Sequence, residues 1–312
     1  MEKKVVKGKR KEESNLNEIR GTLLILLTAF ISGIAIVINK FFVVRIDPLL
    51  FTALRALFIG LIFLGISFYI SQSGKKKFNK ASWKSLIFIG IIGGGFAFWL
   101  FFTGLRLTTA GRAAFLHKTL PIYATILAII FLKEKIGKKQ LIAMIVMLLG
   151  LFLMELTKIS SEIRVGDMLV LSATVLWAVE NTISKKVMLE KESNWVVTFS
   201  RMFFGSLVLF AIIFILGKSD LLFSLTFQQI LYIVISGSFL LLYVLTWYWG
   251  LKYINLSKAS TILLIAPVIS LVLGVVWLNE QVFALQLVGS VLILTGAFVI
   301  TRVKSERGVE ET

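Results

Sequence analysis

The sequence has no cysteine, one histidine and three prolines in 312 residues. Without cysteine there can be no disulfide, no thiol nucleophile and no Cys-based metal site. A single histidine, His117, cannot build a multi-His metal centre within one chain, so no metal or other cofactor is expected. Acidic residues are few: 17 Asp and Glu stand against 34 Lys and Arg, a formal charge of +17. A charge of that size can mark nucleic-acid binding. Here the basic residues fall in short loops and tails between apolar runs, which points to membrane topology and to no nucleic-acid partner. The chain also lacks a Walker-type phosphate loop, an Asp pair and any Ser–His or Ser–Lys arrangement on an evident motif. That argues against ATP-driven pumping by this chain and against an intramembrane enzyme.

What the chain has is apolar length. It is 57% hydrophobic, with a mean hydropathy of +0.90, against about 45–50% apolar in soluble domains. The excess is arranged in runs of about 20 residues, the length needed to cross a hydrocarbon core of about 30 Å. Ten spans are read at 22–44, 48–70, 84–105, 110–132, 139–156, 167–188, 195–217, 227–251, 258–280 and 285–302. The fold expected is an all-α polytopic membrane protein. The connections are too short to hold a soluble domain. Lys and Arg concentrate in the N-terminal tail, around 71–84, around 133–139 and in the other loops on that side. The opposite loops hold only Arg45, Arg106, Arg112, Lys158, Arg164 and Lys218. The bias puts both termini in the cytoplasm, with the cell membrane as location. Residues 1–20 are read as a flexible basic tail near anionic lipid, its first span uncleaved, and 304–312 as a cytoplasmic C-terminal tail.

The two halves match. At an offset of 146, Arg55 falls on Arg201, Gly104-Leu105-Arg106 on Gly250-Leu251-Lys252, Pro121 on Pro267, Glu134 on Glu280 and Gly150 on Gly296. At an offset of 145, Gly21 falls on Gly166 and Lys40 on Lys185. One register holding Arg, Gly, Pro and Glu over so long a stretch is hard to obtain by accident. The repeats are 21–156 and 157–303, five spans each. An odd number forces the halves into the membrane in opposite directions, giving a 5+5 inverted repeat. Transporters of this build bind solute near the midplane between halves.

These residues resemble a known family. A duplicated five-span chain has an arginine early in its second and seventh spans. Its fourth and ninth spans carry a mid-span proline, then an apolar run ending in LKEKI or LNEQV, and Trp177-Ala178 lies in the sixth. This pattern is similar to that of the EamA-like branch of the drug/metabolite transporter superfamily. The resemblance implies a secondary carrier of small organic solutes, often an exporter, working by alternating access. It departs from the usual pattern in the first span, where Ser32-Gly33 stands for Trp-Gly, and in the added pair His117-Lys118.

Lys118 lies eight residues into its span, about 12 Å deep, where a charge needs a cavity or a partner. It reads as an anchor for an anionic or zwitterionic solute, or as the counter-ion of Glu180 in the sixth span. Glu180 is a candidate for proton coupling, or for a pair that never titrates. His117 reads as a relay or as a buried histidine bonded to a carbonyl. Asn181, Trp177, Ser32, Trp99 and Tyr243 complete the proposed binding set. Pro121 and Pro267 each free a carbonyl and bend a span, beside or within the cavity. Arg55 and Arg201 read as one structural role used twice. Glu134 and Glu280, at span exits, read as ligands of neighbouring helix ends, and Lys40 and Lys185 as snorkelling lysines. The glycines of the third span, Gly93, Gly94 and Gly95, would let helices approach closely. The function read from all this is a secondary transporter for an amino acid, nucleoside or related solute, with proton-coupled export included. A lipid flippase is the alternative. Homodimerisation is left open.

Overall fold

In the computed structural model, residues 2–43, 45–72, 82–156 and 165–305 are described. Fourteen α-helices run in chain order. They are α1 (Glu2–Val43), α2 (Pro48–Gln72), α3 (Trp83–Ile89), α4 (Ala97–Leu107), α5 (Ala110–His117), α6 (Leu120–Leu132), α7 (Lys138–Glu155) and α8 (Val165–Leu189). Then follow α9 (Asn194–Ile215), α10 (Asp220–Phe223), α11 (Phe227–Tyr253), α12 (Leu256–Ile262), α13 (Ala266–Leu278) and α14 (Ala284–Arg302). A π-helix, Gly90–Phe96, joins α3 to α4, and a 3-10 turn, Leu263–Ile265, joins α12 to α13. The lysine cluster at 75–80 lies outside the described residues, as do the side chains of Lys40 and of residues 1–11. The backbone of the basic tail is helical from Glu2, continuous with the first span.

Among the described residues, eight helices are long and apolar enough to cross a membrane. The fifth and sixth spans, α7 and α8, fall short by composition. α7 begins at Lys138-Lys139 and ends at Glu155, while α8 carries Asp167, Glu180, Lys185 and Lys186. Asp167, Glu180 and Lys185 are buried against partners, while Val165, Met168 and Val175 are exposed, so α8 turns its charged groups into the bundle and an apolar stripe outwards.

The packing shows the duplication directly. The second and seventh spans face each other (α2 with α9), and so do the fifth and tenth (α7 with α14). The first packs on the eighth (α1 with α11) and the third on the sixth (α4 with α8). A two-fold relation between halves exchanges those last two pairs. Their crossings use matching glycines. A Cβ on Gly104 would come within 2.7 Å of the Gly166 carbonyl, and one on Gly250 within 3.3 Å of the Gly21 carbonyl.

Both proline spans are broken as the sequence implies, because proline cannot donate to the preceding turn. α5 ends at His117, Lys118 and Thr119 form a turn, and α6 restarts with Pro121 in its first turn. In the ninth span the 3-10 turn replaces that break, with Pro267 in the first turn of α13.

Among the glycines of the described residues, the tightest approach is at Gly94, where a Cβ would sit 1.9 Å from the Arg201 carbonyl oxygen. Gly94→Ala should therefore destabilise by about 1–3 kcal/mol or more, through forced separation of helices. Gly65→Ala, with nothing within 4 Å, should leave stability unchanged or raised. Thermal unfolding of both variants in detergent checks this. Equal melting temperatures would contradict the packing.

Candidate functional site

The site is built around the glycine run of the third span. A π-helix is costly and recurs at functional sites. Here it coincides with Gly93, Gly94 and Gly95, all buried. A Cβ on Gly93 would lie 2.2 Å from Cγ of Glu180. The absence of side chains thus makes a notch that admits Glu180 from α8 and the backbone of α9. The Gly93 carbonyl accepts a hydrogen bond from Trp177 Nε1 at 2.9 Å.

Glu180 is fully buried. Its Oε2 lies 3.5 Å from Nη1 of Arg201. Its Oε1 accepts hydrogen bonds from Tyr248 Oη and Ser184 Oγ, each at 2.6 Å. Arg201 Nη1 also donates to Tyr248 Oη at 3.2 Å. The carboxylate expected to pair with Lys118 therefore belongs to Arg201. Neighbours on a helix point about 100° apart. Trp177 and Asn181, four residues apart, share the face towards the central cavity, whereas Glu180 turns towards α9 and α11.

That cavity has a volume of about 230 Å³ and is lined from both halves. On one wall stand Ser32, Asn39 and Arg55, and on others Phe98, Phe101, His117, Lys118, Pro121, Trp177, Asn181, Arg201, Tyr243 and Trp247. Lys118 and His117 reach it because the α5–α6 break lies there. The His117 ring sits in an aromatic group, 4.8 Å from Trp177 and 5.4 Å from Phe101 between centroids. Tyr243 stacks on Trp247 at 6.4 Å. Trp247 Nε1 donates to Asn181 Oδ1 at 2.9 Å, and Asn181 Nδ2 donates to the Trp177 carbonyl at 2.8 Å. Arg55 Nη1 donates to Ser236 Oγ at 2.8 Å, and Ser236 in turn donates to Asn39 Oδ1 at 2.5 Å. The Arg55 guanidinium also lies 4.2 Å over the ring of Phe51.

Two residues read as site members lie elsewhere. Trp99 is absent from the cavity wall and lines a groove with Asp47, Arg106 and Lys218 at the bundle end. A π-helix adds a residue to the turn and rotates all that follows, so Phe98 and Phe101 take the inward positions. Pro267 is not on the cavity wall either; Leu263 and Leu264 of the 3-10 turn are. Asn39, Ser236, Phe98, Phe101 and Trp247 were not read as site residues. Asn39 and Ser236 had a visible signal, as polar side chains within apolar runs.

Polar contacts join the halves at both ends of the bundle, through different residues. At the end that holds the start of α1 and the last described residues, Glu134 accepts from the Leu256 and Ser257 backbone N–H groups at 2.7 and 3.1 Å and from Ser257 Oγ at 2.6 Å, capping α12. Gln140 donates to Ser257 Oγ at 3.0 Å. Lys258 is fully buried and donates to Glu18 at 2.8 Å and to the Val303 carbonyl at 2.7 Å. Lys185 does not snorkel: it is buried and donates to the Leu251 and Ile254 carbonyls at the end of α11. The cavity wall climbs away from this end, along α1 from Ser32 to Asn39. At the far end Arg112 grips Asp167 through Nε at 3.1 Å and Nη2 at 2.5 Å. Lys218 pairs there with Asp47 at 2.8 Å. Glu280 is exposed, its carboxylate folded over Gly274 of its own helix.

Comparison with known proteins adds to this geometry. The model of the EamA-like transporter family matches residues 19–156 and again 164–302. The chain belongs to the EamA-like transporter family. Its relatives include the uncharacterized transporter YoaV of Bacillus subtilis strain 168, 27% identical over 93% of this chain and 100% of that protein. Another, from Archaeoglobus fulgidus, is an uncharacterized transporter 28% identical over 90% and 98% of the two chains. A solved crystal structure with 18% sequence identity matches at a TM-score of 0.74, covering 90% of this chain and 98% of that one, and so shares the fold. This EamA-like chain is thus an integral, multi-pass membrane protein of the drug/metabolite transporter superfamily, with a transporter's architecture.

Removing one member of a buried ion pair strands the other, at a cost of about 3–5 kcal/mol. Glu180→Gln and Arg201→Met should each destabilise the EamA-like chain by that order. Glu180→Gln combined with Arg201→Met should cost much less than the two single losses added. A double-mutant cycle on unfolding in detergent measures it, and strictly additive losses would contradict the pairing.

Proposed function

We propose that the protein is a secondary carrier that moves a small organic solute across the cell membrane by alternating access between its two halves. The observation that carries this reading is the cavity at the interface of the repeats, lined from both halves. It rises along α1 from Ser32 to Asn39, away from the end where Glu134 caps α12 and Glu18 meets Lys258; at the other end Arg112–Asp167 and Lys218–Asp47 also tie the halves together. A pore needs both ends open at once. A carrier with inverted repeats needs one end closed, and exchanges the roles of the ends by rocking one half against the other.

The distribution of Lys and Arg supports cytoplasmic termini, so in this state the cavity faces outward. The binding set is Lys118, His117, Asn181, Trp177, Ser32 and Tyr243, with Arg55 and Arg201 added from the cavity wall. Amino acids, nucleosides and related solutes are of a fitting size class. The bonds from Tyr248 and Ser184 and the pairing with Arg201 favour Glu180 as a lock on the bundle over Glu180 as a free proton carrier.

Counterflow in proteoliposomes tests the reading. Vesicles are preloaded with unlabelled solute from a panel of amino acids, nucleosides, sugars and organic acids. At least one labelled solute should show a transient overshoot above equilibrium. Flux that never responds to solute on the opposite side would contradict a carrier.

A further inference from the structure

The cavity has cationic side chains and no carboxylate among its lining residues. The repeat explains why. In the second half, Arg201 has Glu180 at 3.5 Å. In the first half the position matching Glu180, at the offset that brings Gly166 onto Gly21, is Ala35. Ala35 is on the cavity wall, and so is Arg55, the mate of Arg201. Among the described residues, the partners of Arg55 are neutral: the hydroxyls of Ser236 and Thr52 and the ring of Phe51. Its Nε, like that of Arg201, is buried without a hydrogen-bond partner. Lys118 adds a second cation on a position that is Leu264 in the other half. Among the described residues, no carboxylate forms a salt bridge with Arg55 or Lys118.

Two cations in a membrane interior, each without a counter-charge, are costly unless an anion completes them. The wall also carries the aromatic side chains of Phe98, Phe101, Trp177, Tyr243 and Trp247, among aliphatic and neutral polar residues. The volume, about 230 Å³, exceeds the about 150 Å³ that holds a benzene. The space suits one ring and a small charged group.

We infer that the solute is an organic anion with a compact, flat apolar body, held by Lys118 and Arg55 at its charged group and by the aromatic wall at its body. The inference rests on the reading of this cavity as the transport site. It discriminates against α-amino-acid zwitterions and organic cations, because an ammonium finds no acceptor carboxylate. The one buried carboxylate nearby, Glu180, is already taken by Arg201, Tyr248 and Ser184.

The test uses four probes on the purified full chain in detergent, by calorimetric titration. They are benzenesulfonate (anion), benzenesulfonamide (neutral), phenylalanine (zwitterion) and benzyltrimethylammonium (cation). Benzenesulfonate should bind at least tenfold tighter than each of the others. Lys118→Leu, which installs the residue of the other half, should weaken it at least tenfold, and Lys118→Arg should retain binding within a few-fold. Where a lysine variant fails to fold, a pair at Ala35 keeps the test alive. Ala35→Glu should weaken benzenesulfonate at least tenfold relative to Ala35→Gln, which fills the same space without charge.

Equal or tighter binding of the neutral, zwitterionic or cationic probe overturns the inference. So does binding of none of the four, or equal affinities of the Ala35 pair. Counterflow separates the two readings. Benzenesulfonate binding without counterflow of any solute leaves the anion site standing and removes the carrier. Counterflow of the zwitterion or cation, without benzenesulfonate binding, keeps the carrier and removes the anion class.

Discussion

A charge buried in a bundle that sits in lipid must be paired, and the pairing of Glu180 with Arg201 organises this protein. The pair joins α8 to α9, and Tyr248 ties in α11. The third span can reach the pair only because its π-helix is glycine at Gly93, Gly94 and Gly95. The same notch gives Trp177 a carbonyl to bond and so fixes one wall of the cavity. Composition alone would make α8 a poor membrane helix. Its charges are tolerated because they are spent on its neighbours, not exposed to hydrocarbon.

The inverted duplication supplies symmetry, and function resides in where the symmetry fails. Shared features carry the frame: exchanged helix pairs, matched glycine crossings, and a basic residue opening the fourth and ninth spans. Arg112 meets Asp167 of the sixth span, and Lys258 meets Glu18 of the first, at opposite ends of the bundle. Unmatched features line the cavity. Lys118 and His117 face positions that are leucine in the other half, and Arg55 faces an alanine where Arg201 faces Glu180. At one end Glu134 reaches across the halves to the start of α12. A nearly symmetric body whose cavity lies towards one end is a body with a second state available, in which the contacts at the ends are exchanged.

Much of the frame was legible in the sequence, since apolar length and repeat register are local quantities. Apart from the first, whose helix begins at Glu2 where a flexible tail to residue 20 was expected, the span limits agree with the helices to within a few residues, and the breaks at Pro121 and Pro267 follow from the missing N–H. The placement of Lys118, Trp177 and Asn181 on one cavity was also within reach, from depth and helix face. What the sequence hid was lateral: which helix stands next to which. Depth made Lys118 a reasonable partner for Glu180, but the notch at Gly93 directs Glu180 to Arg201. Trp99 was misplaced because a π-helix has no clear sequence signal and changes the inward face after it. Lys185 looked like a snorkelling lysine, and its acceptors are carbonyls at the end of a helix far along the chain.

The central claim is that the two ends of the bundle open in alternation around one cavity. The chain has no cysteine, so pairs of spin labels can be introduced without a background. One pair, at Lys135 and Lys252, spans the halves at the end where Glu134 caps α12; the other, at Arg106 and Gln281, occupies the repeat-matched places at the other end. All four are exposed. Pulsed dipolar distances are measured in lipid nanodiscs, with and without a solute that gives counterflow. The account predicts that solute shifts the two distance distributions in opposite senses, the Lys135–Lys252 pair lengthening as the Arg106–Gln281 pair shortens. Both pairs unchanged, or both lengthening together, would contradict it.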